Sequence, residues 1–371
     1  MLIGVPKEIK NHEYRVGLTP TSVRELVHHG HQVLVEKTAG EGITMVANDY
    51  IRAGAEIAET AAEVYARADM IVKVKEPQES EYGLMREGQI IFTYFHLAPA
   101  PDLTRALMQT GIVAIAYETV TAPDNSLPLL APMSEVAGRL SIQVGAHCLE
   151  RNQGGKGILI GGVPGVAPAK VLIIGGGTVG ANAAMMAIGM ETDVTLLDRS
   201  LPRLRQLDSE FSGRVICIYS TKEAVEKYAL EADLVIGAVL LPGAAAPKIL
   251  TRDIVKRMKK GSVFVDVAID QGGCSETSRP TTHLDPTYIE YGVVHYCVTN
   301  MPGVVPRTSA AALNNATMPF VLALANQGYR EAMRRDPHLM NGLNIHRGVI
   351  TQEAVAEALG LPYTPAAEAL A

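Results

Sequence analysis

Short apolar runs recur along the first third of the chain, with polar segments of helical period between them. "LIGV" (2–5), "HQVLVE" (31–36), "DMIVKVK" (69–75), "QIIFTYF" (89–95) and "GIVAIAY" (111–117) read as strands, and 19–30, 48–54, 60–67 and 101–110 as helices. Runs this continuously apolar suit strands buried on both faces, and their alternation with helices predicts a mostly parallel sheet. A second series opens at "AKVLIIGGGTVG" (169–180), with strands expected at 170–174, 193–197, 215–218, 233–238, 262–267 and 293–298. Strands and helices at that density form the doubly wound pattern. Between the two series, residues 133–152 carry Val136, Leu140, Val144 and Cys148 at helical spacing, which predicts a long linking helix. From 308 to 334 the pattern is helical again. Because the second sheet is by then complete, this tail is expected to pack on the first domain, with only the Ala-rich end after 363 frayed. The fold class is therefore α/β, with two doubly wound domains of mostly parallel sheets. The second (130–303) is inserted in the first (1–129 and 304–371).

Composition narrows the class. A chain of 371 residues with 47% hydrophobic and 19% charged residues fits a well-buried two-domain globular protein. A net charge of −6 without a Lys/Arg cluster argues against nucleic acid or an anionic membrane surface as partner. The cysteines, Cys148, Cys217, Cys274 and Cys297, form no C-x-x-C pair and match no zinc spacing, so no metal site is expected. The N-terminal "MLIGVPKEIK" lacks a basic n-region, and a reducing cytoplasm suits the thiols. Residues 171–190 carry no formal charge and are long enough for a membrane span, but the glycine turn inside them reads better as strand, turn and helix.

That turn is the first candidate site. Gly175, Gly177 and Gly180 form G-x-G-x-x-G directly after a strand and at the mouth of a helix. The first glycine permits the tight turn, the second admits a pyrophosphate close to the backbone, and the third lets helix and strand pack closely. The helix N-terminus adds free N–H groups and a positive dipole end for phosphates. The next strand ends on Asp198, where a carboxylate accepts ribose hydroxyls and repels a 2′-phosphate, favouring NAD over NADP. Arg199 and Arg203 beyond it soften that exclusion. The inserted domain is thus expected to be a Rossmann dinucleotide-binding domain. Asp270, after the apolar "SVFVDVAI" and before "QGG", suits a turn residue and a functional carboxylate equally well, whereas Asp266 inside the strand reads as structural.

Three strand ends of the first domain carry polar groups. Arg15 stands ahead of a Thr-Pro helix start, Lys75 where "MIVKV" stops, and His96 after "IIFTYF". Each alone reads more readily as a surface or strand-end residue. Along one edge of a parallel sheet, however, they converge. An Arg can hold a substrate carboxylate, a Lys can polarise a carbonyl or carbinol oxygen, and a His can move a proton near neutral pH. Beside a nicotinamide cofactor, this suits oxidation of a small 2-substituted acid.

The stretches "IGVPKEIKNHEYRVGLTP", "VKVKEP", "FTYFHLAP", "MSEVAGRLSIQVGA", "GVPGVAPAKVLIIGGGTVG", "VDVAIDQGG" and "VTNMPGVVPRTS" resemble the bacterial L-alanine dehydrogenases, nearly end to end. The resemblance implies reversible NAD-dependent oxidative deamination of L-alanine to pyruvate and ammonium. It implies that Arg15 and Lys75 bind substrate, and that His96 is general acid/base with Asp270 as second catalytic residue. Its NAD contacts fall on Ser134, Thr178, Val179, Asp198, Arg203, Ser220, Val239, Leu240 and Arg279, with Val267, Ala268, Ile269, Asp270, Val298, Thr299, Asn300 and Met301. Position 203 departs mildly, since Lys is equally familiar there. A homohexamer is also implied. The alternatives are the NAD-binding subunit of a proton-translocating transhydrogenase, which lacks the histidine of "FTYFHLAP", and a catalytically silent NAD-sensing protein. Intact Arg15, Lys75, His96 and Asp270 weigh against both.

Overall fold

The computed structural model describes residues 1–239 and 246–371. The chain divides into two units, Met1–Met133 with Gly303–Ala371, and Ser134–Pro302. The first unit begins with β1 (Leu2–Val5), β2 (Gln32–Glu36), β3 (Glu56–Ala58), β4 (Met70–Val72), β5 (Ile90–Thr93) and β6 (Val113–Ala116). The second holds β7 (Lys170–Ile174), β8 (Asp193–Asp198), β9 (Ile216–Tyr219), β10 (Leu234–Gly237), β11 (Val263–Asp266), β12 (Thr287–Glu290) and β13 (Val293–Tyr296). The chain then returns to the first unit with β14 (Leu343–His346) and β15 (Val349–Ile350).

In the first unit the strand order is β15-β14-β6-β5-β4-β1-β2-β3. Strands β1 to β6 are parallel, while β14 and β15 are antiparallel additions at one edge. Alternate residues serve opposite faces, as the pleat requires. Ile3, Val5, Val33, Val35, Val72 and Phe92 join one core, and Leu34, Ile71, Ile91 and Ala114 the other. The first core also takes Leu313, Val321 and Leu324 from the helix Pro306–Gln327, so the tail packs on the first unit. The end of the chain is not frayed: Ala366–Ala369 is helical, Leu370 is buried, and the Arg330 guanidinium donates to its carbonyl at 2.5 Å.

The second unit's order is β12-β13-β11-β10-β7-β8-β9, parallel except for the antiparallel edge strand β12. Its uncharged stretch resolves into β7 and the helix Thr178–Gly189, and no helix among the described residues is long and apolar enough to cross a membrane. The expected linking helix spans Ala131–Cys148: it ends at the last residue of its apolar spacing, four residues short of the expected 133–152.

Both sheets reverse their winding direction once. The reversal falls between β1 and β4 in the first unit and between β7 and β10 in the second. In doubly wound sheets that switch point, at the carboxyl ends of the strands, is where the fold leaves a crevice for a ligand.

Candidate active site

The first unit's switch point collects the three strand-end residues. Register places Val72 beside Phe92 and Thr93 beside Ala116, so the segments leaving β4, β5 and β6 emerge along one edge. Both strands stop earlier than the apolar runs suggested, at Val72 and Thr93 rather than at Lys75 and Phe95. Carboxylates end them. Glu8 takes the Val74 N–H at 2.6 Å, and Glu118 takes the N–H groups of Phe95 (3.2 Å) and His96 (2.6 Å), displacing the ladder partners.

Arg15 is buried, only 2% exposed, which a lone cation tolerates poorly. Glu13 answers it. One carboxylate oxygen accepts from Arg15 Nε at 2.7 Å and from its backbone N–H at 3.0 Å, and the other accepts from Nη2 at 2.5 Å. Burial works against the Glu13 charge, but the Arg15 hydrogen bonds and charge outweigh it and pull the carboxyl down from 4.5 to about 2. The Nε–Nη2 edge of the guanidinium is thus engaged, and Nη1 lies 3.0 Å from Met133 Sδ. Lys75 is half-buried. Its pKa is lowered, first by burial and then by the Arg15 charge, while Glu13 pulls the other way. Its carbonyl accepts from Thr93 Oγ1 at 2.9 Å.

His96 lies three residues past the end of β5. It adopts φ 51°, a left-handed conformation that costs a non-glycine residue on the order of 1 kcal/mol or more. Glu118 holds it there and stands 4.0 Å from Nδ1, while the side chain is 50% exposed. The Tyr94 ring lies parallel to the imidazole at 5.9 Å, and the Tyr94 hydroxyl is anchored on the Leu129 carbonyl. Tyr94 also feels the Arg15 charge, so Arg15, Lys75 and His96 share one neighbourhood.

Behind Lys75 lies a fully buried ionic network. Lys73 Nζ stands 2.9 Å from Glu81 and 3.4 Å from Glu8, and the Tyr65 hydroxyl donates to Glu81 at 2.9 Å. Burial raises the Glu8 pKa, which the Lys73 charge only partly offsets. Sequence reasoning assigned no site role to Glu8, Glu13, Lys73, Glu81 or Tyr94, nor to Glu118 as a partner of His96. The one legible signal was the Glu13-x-Arg15 spacing, because the other partners come from remote segments.

The second unit supplies a cradle built from glycine. Gly175 has φ 106°, and a Cβ there would lie 2.6 Å from the Ala238 carbonyl oxygen. A Cβ on Gly180 would lie 1.8 Å from the Gly175 oxygen, whereas one on Gly177 would meet open space. Two glycines therefore close the turn and the middle one leaves room on the approach side, which fits a dinucleotide diphosphate. Asp198 is pinned at the end of β8, one oxygen on the Gly176 N–H at 2.7 Å and the other on the Ser200 N–H at 2.7 Å. Arg203 Nε donates to the Gly176 carbonyl at 2.6 Å. Ser134 lies one turn before Gly138, whose helix approaches the glycine-loop helix so closely that a Cβ would sit 2.3 Å from the Val179 oxygen.

The remaining expected cofactor contacts follow the carboxyl ends of neighbouring strands. Ser220 follows β9, with its N–H on the Asp198 carbonyl at 2.9 Å, and Val239 follows β10. Leu240 lies outside the described residues. Val267, Ala268, Ile269 and Asp270 form a 3₁₀ turn after β11, with Ala268 and Ile269 buried and Asp270 exposed. Asp266 is structural: buried, it accepts from Ala268 N–H (3.1 Å), Cys274 N–H (2.9 Å) and Ser278 Oγ (2.5 Å). Val298, Thr299, Asn300 and Met301 follow β13, and Val298 bridges to Thr281.

A chain with one glycine-loop α/β unit and one α/β unit whose switch point gathers Arg, Lys and His is, by class, a nicotinamide-dependent dehydrogenase. The family follows from comparison. The chain belongs to the alanine dehydrogenase/PNT family: the family's N-terminal domain matches residues 4–137 and its C-terminal domain residues 141–353. An alanine dehydrogenase of Halomonas elongata is 58% identical over 367 residues, covering 99% of both chains. A solved L-alanine dehydrogenase superposes with a TM-score of 0.95 at 53% identity, covering 97% of this chain and 99% of that one. A transhydrogenase from Sinorhizobium meliloti shares the fold, with a TM-score of 0.82 at 23% identity over 95% of this chain and all (100%) of that one.

Proposed function

We propose that this chain catalyses the reversible, NAD-dependent oxidative deamination of L-alanine to pyruvate and ammonium. The observation that supports it most is His96, held in a left-handed turn by Glu118 and facing solvent beside the Arg15–Lys75 pair. NAD, when bound, supplies the hydride acceptor. Gly175, Gly177, Thr178, Val179 and Gly180 would hold its diphosphate, and Asp198, with both oxygens already pinned, would receive the adenosine ribose.

The substrate roles follow from the side chains. Arg15, kept charged by Glu13, binds the substrate carboxylate. Lys75, its pKa lowered, is a readier donor than an ordinary lysine to the oxygen that develops charge at C2. Once Cα is oxidised, water adds to iminopyruvate. His96 takes a proton from that water and returns one as the carbinolamine collapses. Asp270, assigned on the family resemblance, serves the nitrogen or its proton traffic. We assign the chain to the cytoplasm, where a reducing milieu suits its free cysteines, and to a homohexamer on the family resemblance. The test is NADH formation, followed by absorbance, from L-alanine at alkaline pH. No signal with alanine, accompanied by hydride exchange between nicotinamides, would favour the transhydrogenase reading instead. Asn at 270 with unimpaired turnover would remove Asp270 from the mechanism.

A further inference from the structure

Arg279 stands between the carboxyl ends of β11 and β13. Its neighbour Ser278 is tied to Asp266, and Thr281 pairs with Val298, with the Thr299 N–H on the Thr281 carbonyl at 3.3 Å. Its guanidinium is exposed and, among the described residues, has no carboxylate and no hydrogen-bond acceptor. It lies instead on an aromatic face, with Cζ 4.0 Å from the centre of the Tyr288 ring.

That ring is itself built in. The Tyr288 hydroxyl donates to the Thr277 carbonyl at 2.7 Å and accepts from the Arg279 backbone N–H at 2.9 Å, so the ring grips the residue at both ends. His295, cross-strand partner of Tyr288 in the β12–β13 pair, stacks on the ring at 4.9 Å. The His295 imidazole is buried and locked by Thr277 Oγ1 at 2.8 Å and the Val293 carbonyl at 3.0 Å, with Phe264 edge-on at 5.5 Å. A guanidinium stacked on a rigid ring is attracted to its face and keeps its N–H donors directed outward in one plane. An exposed arginine without such a platform would sample many rotamers and lose that freedom on binding.

We propose that Tyr288, backed by His295, is a positioning residue that presents Arg279 to an oxygen acceptor of the bound dinucleotide. This rests on the reading of Arg279 as a cofactor contact and adds a residue from the edge strand to that site. The role belongs to cofactor affinity, so it is separable from the alanine half-site.

The experiment measures NADH dissociation constants by fluorescence on the full-length protein, together with KM for NAD and for L-alanine. Arg279→Ala, Arg279→Lys and Tyr288→Leu should each raise the NADH dissociation constant and the KM for NAD by about 3- to 10-fold, with the KM for alanine unchanged. Tyr288→Phe retains the ring but loses the hydroxyl's hydrogen bonds to Thr277 and Arg279, and should weaken NADH binding less than Tyr288→Leu does. The double variant Arg279→Ala/Tyr288→Leu should bind no worse than Arg279→Ala alone, because the platform has nothing left to present. If Arg279→Ala leaves NADH binding intact, the cofactor reading of Arg279 fails and this inference with it. If Arg279→Ala weakens binding but Arg279→Lys matches wild type, stacking is irrelevant and only the inference falls. A Tyr288→Leu protein that loses active fraction without a change in dissociation constant would reduce Tyr288 to a structural residue, and Arg279→Lys, at an exposed position, decides the matter where Tyr288→Leu does not fold.

Discussion

Glu13 and His96 are each held by one specific partner, Arg15 and Glu118. Glu13 has a folded pKa of about 2 against an ordinary 4.5, so its stabilisation is complete above pH 4.5 and disappears as pH falls toward 2. That difference corresponds to about 3 kcal/mol. Unfolding by denaturant between pH 5 and 3 should therefore show a falling limb that Glu13→Gln flattens. Glu8, raised by burial, has the opposite sign, favouring the fold at low pH and losing that contribution as pH rises above 4.5, so the two are separable. For His96, Ala should leave the fold and NADH affinity intact and lower kcat by about 10²- to 10⁴-fold, the usual range for a general acid/base. Retained turnover would remove the imidazole from the mechanism. His96 was legible as a candidate because an apolar strand ended on it. Its left-handed turn was not, because the Glu118 that imposes it arrives from the turn after the next strand, 22 residues on.

At the scale of elements, the glycine loop makes two substitutions that look alike behave differently. Gly180→Ala drives a Cβ to within 1.8 Å of a backbone oxygen and must part the helix Thr178–Gly189 from β7, whereas Gly177→Ala meets nothing. Gly180→Ala should lower stability by about 1–3 kcal/mol, and Gly177→Ala should leave stability near wild type while weakening NADH binding. Thermal unfolding with and without NADH distinguishes them, and equal loss of stability in both would contradict the cradle geometry. The parallel strands were readable because apolar runs of this length, bounded by turns, have few other places to go. Strands β3, β12 and β15 were not anticipated, because they are short or half-exposed and lie at sheet edges, where packing imposes little pattern, and buried β14 was missed because Asn344 and His346 interrupt its apolar residues.

The whole molecule decides matters that no window of sequence contains. Glu8, Tyr65, Lys73 and Glu81 lie in separate segments and close into one buried network behind Lys75. Lys73→Met removes the only cation there among the described residues and leaves Glu8 and Glu81 buried together, so it should cost about 3–5 kcal/mol, read as a lower urea midpoint. An unchanged midpoint would mean that the buried lysine adds nothing net to stability. Sequence alone determined the two α/β series, the glycine turn with Asp198, the return of the tail to the first unit, and the strand-end candidates Arg15, Lys75 and His96. These depend on local period, on glycine where a Cβ cannot fit, and on chain order. The tertiary structure decided which carboxylate meets each of these groups, Glu13 for Arg15, Glu8 for the Lys75 segment, Glu118 for His96, and which ring supports Arg279. Partnership of that kind depends on distance in space, and apart from Glu13-x-Arg15 these partners are brought together only when the sheets are complete.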